Sequence, residues 1–202
     1  MGYTAIVDYG VGNLKSVSNA MAYLGHCTVI AEDVAGLERA DAIILPGVGA
    51  FPDAADRLRA GGLASALLEQ VEKKPVLGIC LGMQLLFEQG QEGRISQGLG
   101  LISGQVEPIQ TPYKLPHIGW NQLSFPQPSP LFEGLDEGVS VYFVHSFCGM
   151  AQKPEQVTAW TEYGPSVVAA VQNGGVFGCQ FHPEKSGEVG LKILDNFARL
   201  NR

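Results

Sequence analysis

No stretch of this chain approaches the roughly 18 consecutive apolar residues that a membrane-spanning helix needs. Clusters of Lys and Arg are missing too. Thirteen basic residues face 20 acidic ones, a net charge of −7, which leaves no basic surface for neutralising nucleic-acid phosphates. The four cysteines, Cys27, Cys80, Cys148 and Cys179, lack CxxC spacing, which weakens both a zinc site and a dithiol redox centre; no metal is expected. The opening MGYTAIVDYG has no basic segment and no long apolar core, so no secretory leader is expected. It also has Ala5 and Ile6 where a myristoylation signal wants Ser or Thr. These absences together predict a cytoplasmic protein with free thiols, no membrane attachment and no nucleic-acid partner.

What is present is the composition of a folded domain. Hydrophobic residues make up 46% of the 202 and charged ones 16%, enough for a sizeable core, and the expectation is one domain over 1–202. The first half alternates strand-like and helix-like stretches. Tyr3 to Tyr9 reads as a strand, and Leu14, Val17, Met21 and Leu24 then mark one face of a helix. Cys27 to Ala31 and Ala42 to Gly47 are further strands. Asp53 to Glu72 is helical with a break at Gly61-Gly62, Pro75 to Cys80 is a strand, and Leu81 to Glu88 is a helix. This alternation predicts a flavodoxin-like, mostly parallel central sheet flanked by helices. From about Gly98 to Gln180 short β-like runs, many glycines and the proline-rich FPQPSPLF predict an antiparallel β extension. The chain closes on an amphipathic helix with Leu191, Leu194 and Phe197 inward.

The stretch GICLG, residues 78–82, puts a cysteine between two glycines where a strand becomes a helix. A turn that sharp needs small neighbours, and it lifts the central side chain out of the sheet, the geometry of a nucleophile elbow. Taken alone, the pentapeptide fits a buried core cysteine equally well. A nucleophilic thiol needs a base, and the base needs an orienting group. Of the four histidines, His26 sits at a helix end where a cation suits the dipole and reads as structural. His117 and His145 have no carboxylate close in sequence. His182 has Glu184 two residues on, in GCQFHPEKS, and in extended chain the two would share a face. The order Cys80, His182, Glu184 differs from the nucleophile–acid–histidine order of α/β-hydrolases, which argues against an esterase. The Leu81 amide and the turn PGVGAF, residues 46–51, at the end of a neighbouring strand are candidate oxyanion donors.

These motifs together resemble the class I, triad-type glutamine amidotransferases, marked by G-x-C-x-G and a distant H-P-E. Within them the chain is most similar to the glutaminase subunits of imidazole glycerol phosphate synthases of histidine biosynthesis. DYGVGNLKSV, PGVGAF, GICLGMQLLF, HIGWN, YFVHSF and QFHPEKS carry that likeness between residues 8 and 186. The departure is Cys148 after YFVHSF, where a polar or aromatic residue is expected; it leaves an extra thiol near the pocket.

The resemblance implies a fold, an activity and roles. Cys80, His182 and Glu184 hydrolyse L-glutamine to glutamate and ammonia through a thioester. Leu81, Val48 and Gly49 hold the oxyanion. Gln84, Gly47, Ser146 and Phe147 bind substrate, and no cofactor takes part. The implied partner is a (β/α)8-barrel cyclase subunit in a heterodimer. It uses the ammonia to make imidazole glycerol phosphate and the aminoimidazole carboxamide ribotide. Asn13, Trp120 and Lys185 are expected near that interface, each with a plain alternative: Asn13 as a helix cap, Trp120 as a core residue, Lys185 as a solvated charge. The competing readings are a glutaminase serving another synthase, a non-catalytic regulatory relative and a cysteine peptidase on a related fold.

Overall fold

The computed structural model describes residues 2–200. Strands and helices follow one another as β1 (Thr4–Val7), α1 (Leu14–Tyr23), β2 (Thr28–Ala31), α2 (Val34–Glu38), β3 (Ala42–Gly47), α3 (Phe51–Ala60), α4 (Leu63–Gln70), β4 (Val76–Cys80) and α5 (Leu81–Leu85). A mainly β segment follows: β5 (Phe87–Glu92), β6 (Arg94–Gln97), β7 (Ile102–Pro108), β8 (His117–Gln122), β9 (Ser140–His145), β10 (Phe147–Ala151), β11 (Val157–Glu162), β12 (Ser166–Asn173) and β13 (Val176–Cys179). Helix α6 (Gly187–Arg199) closes the fold.

The central sheet has seven strands in the order β11-β12-β13-β4-β3-β1-β2. The five from β13 to β2 are parallel, and β12 and β11 extend the sheet antiparallel. Strands β3 and β4 are buried at every residue, as a parallel strand covered on both faces must be. Alternation then sorts the side chains. Ala5, Val7, Ile43 and Leu45 join Leu37, Leu58 and Leu67 of α2–α4 in one core layer. Ile6, Ile44, Leu77 and Ile79 join Val17 and Met21 of α1 and Ile193, Leu194 and Phe197 of α6 in the other. Smaller sheets, β10-β7-β5-β6 and β8-β9, stand against the parallel core. No helix among the described residues is long and apolar enough to cross a membrane.

The helix–turn–helix at Gly61-Gly62 falls where the glycines predict, with Gly62 at φ +72°. Three local expectations need correction. Helix α5 ends at Leu85, and the chain re-enters a strand at Phe87 instead of staying helical to Glu88. Its last carbonyls are taken by a neighbouring backbone: Leu99 N–H donates to Leu85 O, and the Leu101 and Ile102 amides donate to Leu86 O. Next, β5 and β7 pair in parallel, so the extension is not wholly antiparallel. Finally, in α6 the fully buried residues include Ile193 beside Leu194 and Phe197, while Leu191 is only half-buried.

Candidate active site

Three neighbouring strands of the central sheet, β3, β4 and β13, deliver their carboxyl ends to one edge. Cys80 ends β4 opposite Gly47 of β3, and Cys179 of β13 pairs with Ile79. Cys80 adopts φ +55°, ψ −111°, the one non-glycine residue with positive φ among the described residues. An L-residue held there stores strain of about 1–3 kcal/mol, and the flanking glycines make the turn possible. A Cβ on Gly78 would lie 2.7 Å from backbone atoms of Gly82 and Met83, and one on Gly82 would lie 1.8 Å from the Leu45 carbonyl oxygen. Both positions therefore need glycine for close approach of helix to sheet.

His182 follows β13 and is 2% exposed. Its Nδ1 is 2.8 Å from Glu184 Oε1, and both side chains are closed to solvent. The carboxylate accepts, so Nδ1 carries the proton and Nε2 is left for the cleft. The pair does not share the face of an extended strand, as the spacing suggested. Pro183–Lys185 is a 3₁₀ turn that folds Glu184 back onto the imidazole. Ser186 staples this turn to β9: its hydroxyl donates to the His182 carbonyl at 2.6 Å and accepts from the Tyr142 amide at 3.0 Å. Burial by itself would lower the His182 pKa, but the Cys80 sulfur and the Glu184 carboxylate outweigh it and raise the value to about 9. Nε2 is buried without a hydrogen-bond partner of ordinary geometry, so the sulfur acts on it as a close polar neighbour short of a formed bond.

These groups border a cleft of about 280 Å³. Val48, Gly49, Cys80, Leu81, Gln84, Ser146, Phe147 and His182 all line it, so most of the residues singled out in the sequence converge. Gly47 does not line the cleft. It is packed beneath it, where a Cβ would meet the Tyr9 hydroxyl at 2.7 Å and the Gly82 amide nitrogen at 2.9 Å. Gly49 stands at φ +106° with open space where a Cβ would be. Glu184 lies behind His182.

Several neighbours were not singled out. Glu92, at the end of β5, lines the cleft and accepts from the Phe51 amide at 2.7 Å, fixing the start of α3 just beyond Gly49. Tyr9 donates to the Pro46 carbonyl at 2.8 Å; its burial, then the Cys80 sulfur, pushes its pKa up. Gln180, fully buried, places Nε2 3.8 Å from Cys80 Sγ. Position i−2 from His182 at a strand end is the signal that would have found it. His145 is held neutral by burial, which lowers its pKa to about 4.

The remaining expectations resolve case by case. Asn13 caps α1, accepting from the Ser16 amide at 3.4 Å. Trp120 is no core residue: it is 56% exposed, edge-on to Tyr142. Lys185 is exposed. Cys148 does not border the cleft; it packs with Ile109 and Val167, and burial, followed by Glu107, raises its pKa to about 11. His26 binds Asp195 of α6 at 2.8 Å, tying α1 to the closing helix.

With this geometry in view, the sequence model of the family described as "Glutamine amidotransferase class-I" matches residues 5–200. The chain belongs to that family. It is 47% identical over 199 residues to "Imidazole glycerol phosphate synthase subunit HisH" of Moorella thermoacetica, covering 98% of this chain and 95% of the relative. It is 49% identical over 202 residues to the protein of the same description from a Geobacillus species, with 96% and 95% covered. Among solved structures, "Structure of PurLQS from Thermotoga maritima" superposes with a TM-score of 0.78 at 20% identity, covering 97% of each chain. That likeness concerns the fold. The amidotransferase fold thus places the elbow cysteine, the buried His–Glu pair and the glycine-rich turn around one cleft.

Proposed function

We propose that this amidotransferase hydrolyses L-glutamine at Cys80 and hands the ammonia to a cyclase subunit, as the glutaminase half of an imidazole glycerol phosphate synthase. The observation that carries the chemistry is the buried His182–Glu184 pair beside the strained cysteine. In this reading His182 Nε2 takes the Cys80 proton and the sulfur attacks the side-chain carboxamide carbon of glutamine. The amides of Leu81 and of the Val48–Gly49 turn receive the oxyanion. His182 then returns its proton to the leaving nitrogen, which departs as ammonia and leaves a γ-glutamyl thioester. Water, deprotonated by His182, attacks the thioester carbon; glutamate leaves and the thiol is restored.

Substrate recognition follows from the lining. Glu92 supplies a carboxylate for the α-ammonium group of an amino acid. Gln84 uses both N–H groups within the protein, on Phe147 O and Gln180 Oε1, so its own oxygen is what it offers to substrate. Ser146 and Phe147 line the same cleft.

The pathway and the partner come from the curated relatives, whose descriptions name a synthase subunit. An outward face suited to docking supports a partner: Ile118 and Trp120 of β8 are 58% and 56% exposed beside Tyr142, and Val144 on the same β9 face lines the cleft. Asn13, Trp120 and Lys185 are proposed as its contacts. We place the heterodimer in the cytoplasm, with the whole chain acting as one amidotransferase domain. Glutamate release, measured alone and with a cyclase subunit and its ribulosyl ligand, tests this reading. Strong activation that Cys80→Ala abolishes supports it, and turnover indifferent to the cyclase points to another synthase.

A further inference from the structure

The Cys80 sulfur has a polar neighbour that the triad does not use. Gln180 sends Nε2 towards Sγ at 3.8 Å, while its Oε1 accepts from Gln84 Nε2 at 3.0 Å. Gln84 Nε2 also donates to the Phe147 carbonyl at 3.0 Å. Which end of an amide is nitrogen is settled by its neighbours, and here one atom settles two amides. The Phe147 oxygen can only accept, so Gln84 must turn nitrogen towards it. The second hydrogen of that nitrogen points at Gln180, which must answer with oxygen. Gln180 is thereby left with an N–H facing the sulfur.

The deciding carbonyl is itself held in place. Phe147 O accepts from His145 Nδ1 at 2.8 Å, and His145 Nε2 faces His117 Nδ1 at 3.0 Å. With His145 neutral and donating from Nδ1, its Nε2 accepts and His117 Nδ1 donates. The His117 ring is stacked against Phe143 and Tyr163, which fixes the outer end of the chain of bonds.

We propose that Gln180 is a further catalytic residue, whose amide N–H, oriented through Gln84 by the Phe147 carbonyl, holds the Cys80 sulfur and favours its anion over the thiol. The proposal rests on Cys80 being the nucleophile. The other ionisable groups about the sulfur are His182 with Glu184 behind it, Tyr9 beneath, and His145 and Glu92 in the cleft. The two carboxylates oppose a negative sulfur and protonated His182 supports it. A neutral amide donor adds stabilisation that does not itself titrate.

The test is alkylation of Cys80 by iodoacetamide across pH, read by peptide mass mapping so that exposed Cys27 is counted apart. Gln180→Met removes the donor at similar volume. Gln180→Leu removes it with a shorter apolar side chain and decides should Gln180→Met not fold; Gln180→Glu keeps the acceptor for Gln84 but adds a carboxylate that opposes the anion by its charge as well. The pH of half-maximal alkylation should rise by about one unit in Gln180→Met and further in Gln180→Glu. At neutral pH kcat for glutamate release should fall about tenfold with KM little changed. An unmoved alkylation midpoint would overturn the role of Gln180 and leave hydrolysis at Cys80 standing. Wild-type turnover that survives Cys80→Ala would overturn both.

Discussion

Glu184 Oε1 accepts a hydrogen bond from His182 Nδ1 at 2.8 Å across a 3₁₀ turn, and neither side chain is more than 2% exposed. A carboxylate so placed fixes the imidazole tautomer and stabilises the imidazolium. Replacing it with an amide removes the charge, and the amide can turn an N–H towards Nδ1 and reverse the tautomer. Glu184→Gln should therefore lower kcat for glutamate release by about 10³–10⁴-fold with the fold intact. Steady-state kinetics beside a thermal melt checks this. A variant that retains most of its turnover speaks against the orienting role.

His182, its pKa raised against the effect of burial by the Cys80 sulfur and then by Glu184, gives stability a pH signature. The folded-state pKa of His182, about 9, lies above the ordinary value of 6.5. The contribution is present in full below about 6.5 and is lost as pH rises through about 9. Melting temperature should fall over that window, and His182→Asn should flatten the fall. An equal fall in the variant would place its cause elsewhere.

Gly49 offers a cleaner test of the turn after β3. A Cβ there meets nothing within 4 Å, so Gly49→Ala acts through the backbone alone, by disfavouring φ +106°. Strain of about 1–3 kcal/mol in the active arrangement predicts a loss of about 5- to 150-fold in glutaminase rate. Unchanged turnover counts against this turn as an oxyanion donor.

Much of this was legible in the chain, for reasons that differ by residue. The elbow is legible because Gly78, Cys80 and Gly82 answer a local steric demand. The Gly61-Gly62 break is likewise local. The boundary between α5 and β5 is not. Residues 81–87 are buried throughout, so hydrophobic periodicity cannot separate helix from strand, and the capping backbone arrives from residues 99–102. With Phe87 and Glu88 read as the end of a helix, the strand whose end carries Glu92 to the cleft goes unseen in the sequence. His182 and Glu184 are legible as a pair but not in their backbone, because His182 is extended while Pro183 opens a 3₁₀ turn that the two-residue spacing does not announce. Tyr9 beneath Pro46 is a contact between residues 37 apart, and no spacing rule anticipates it.

The outward face of β8 and β9 predicts a separable effect. Trp120 is 56% exposed, so Trp120→Ala should change stability by no more than about 0.5 kcal/mol while weakening association with a cyclase subunit. Titration calorimetry beside thermal melts distinguishes the two. Unchanged affinity would move the docking surface elsewhere.

Hydrolysis through a covalent bond at Cys80 is checked by the mass of the Cys80 peptide after acid quench during glutamine turnover. A fraction of that peptide should be heavier by one γ-glutamyl group, absent without glutamine and absent in Cys80→Ala, which should also be inactive. Sustained turnover with no adduct, continuing in Cys80→Ala, would contradict it.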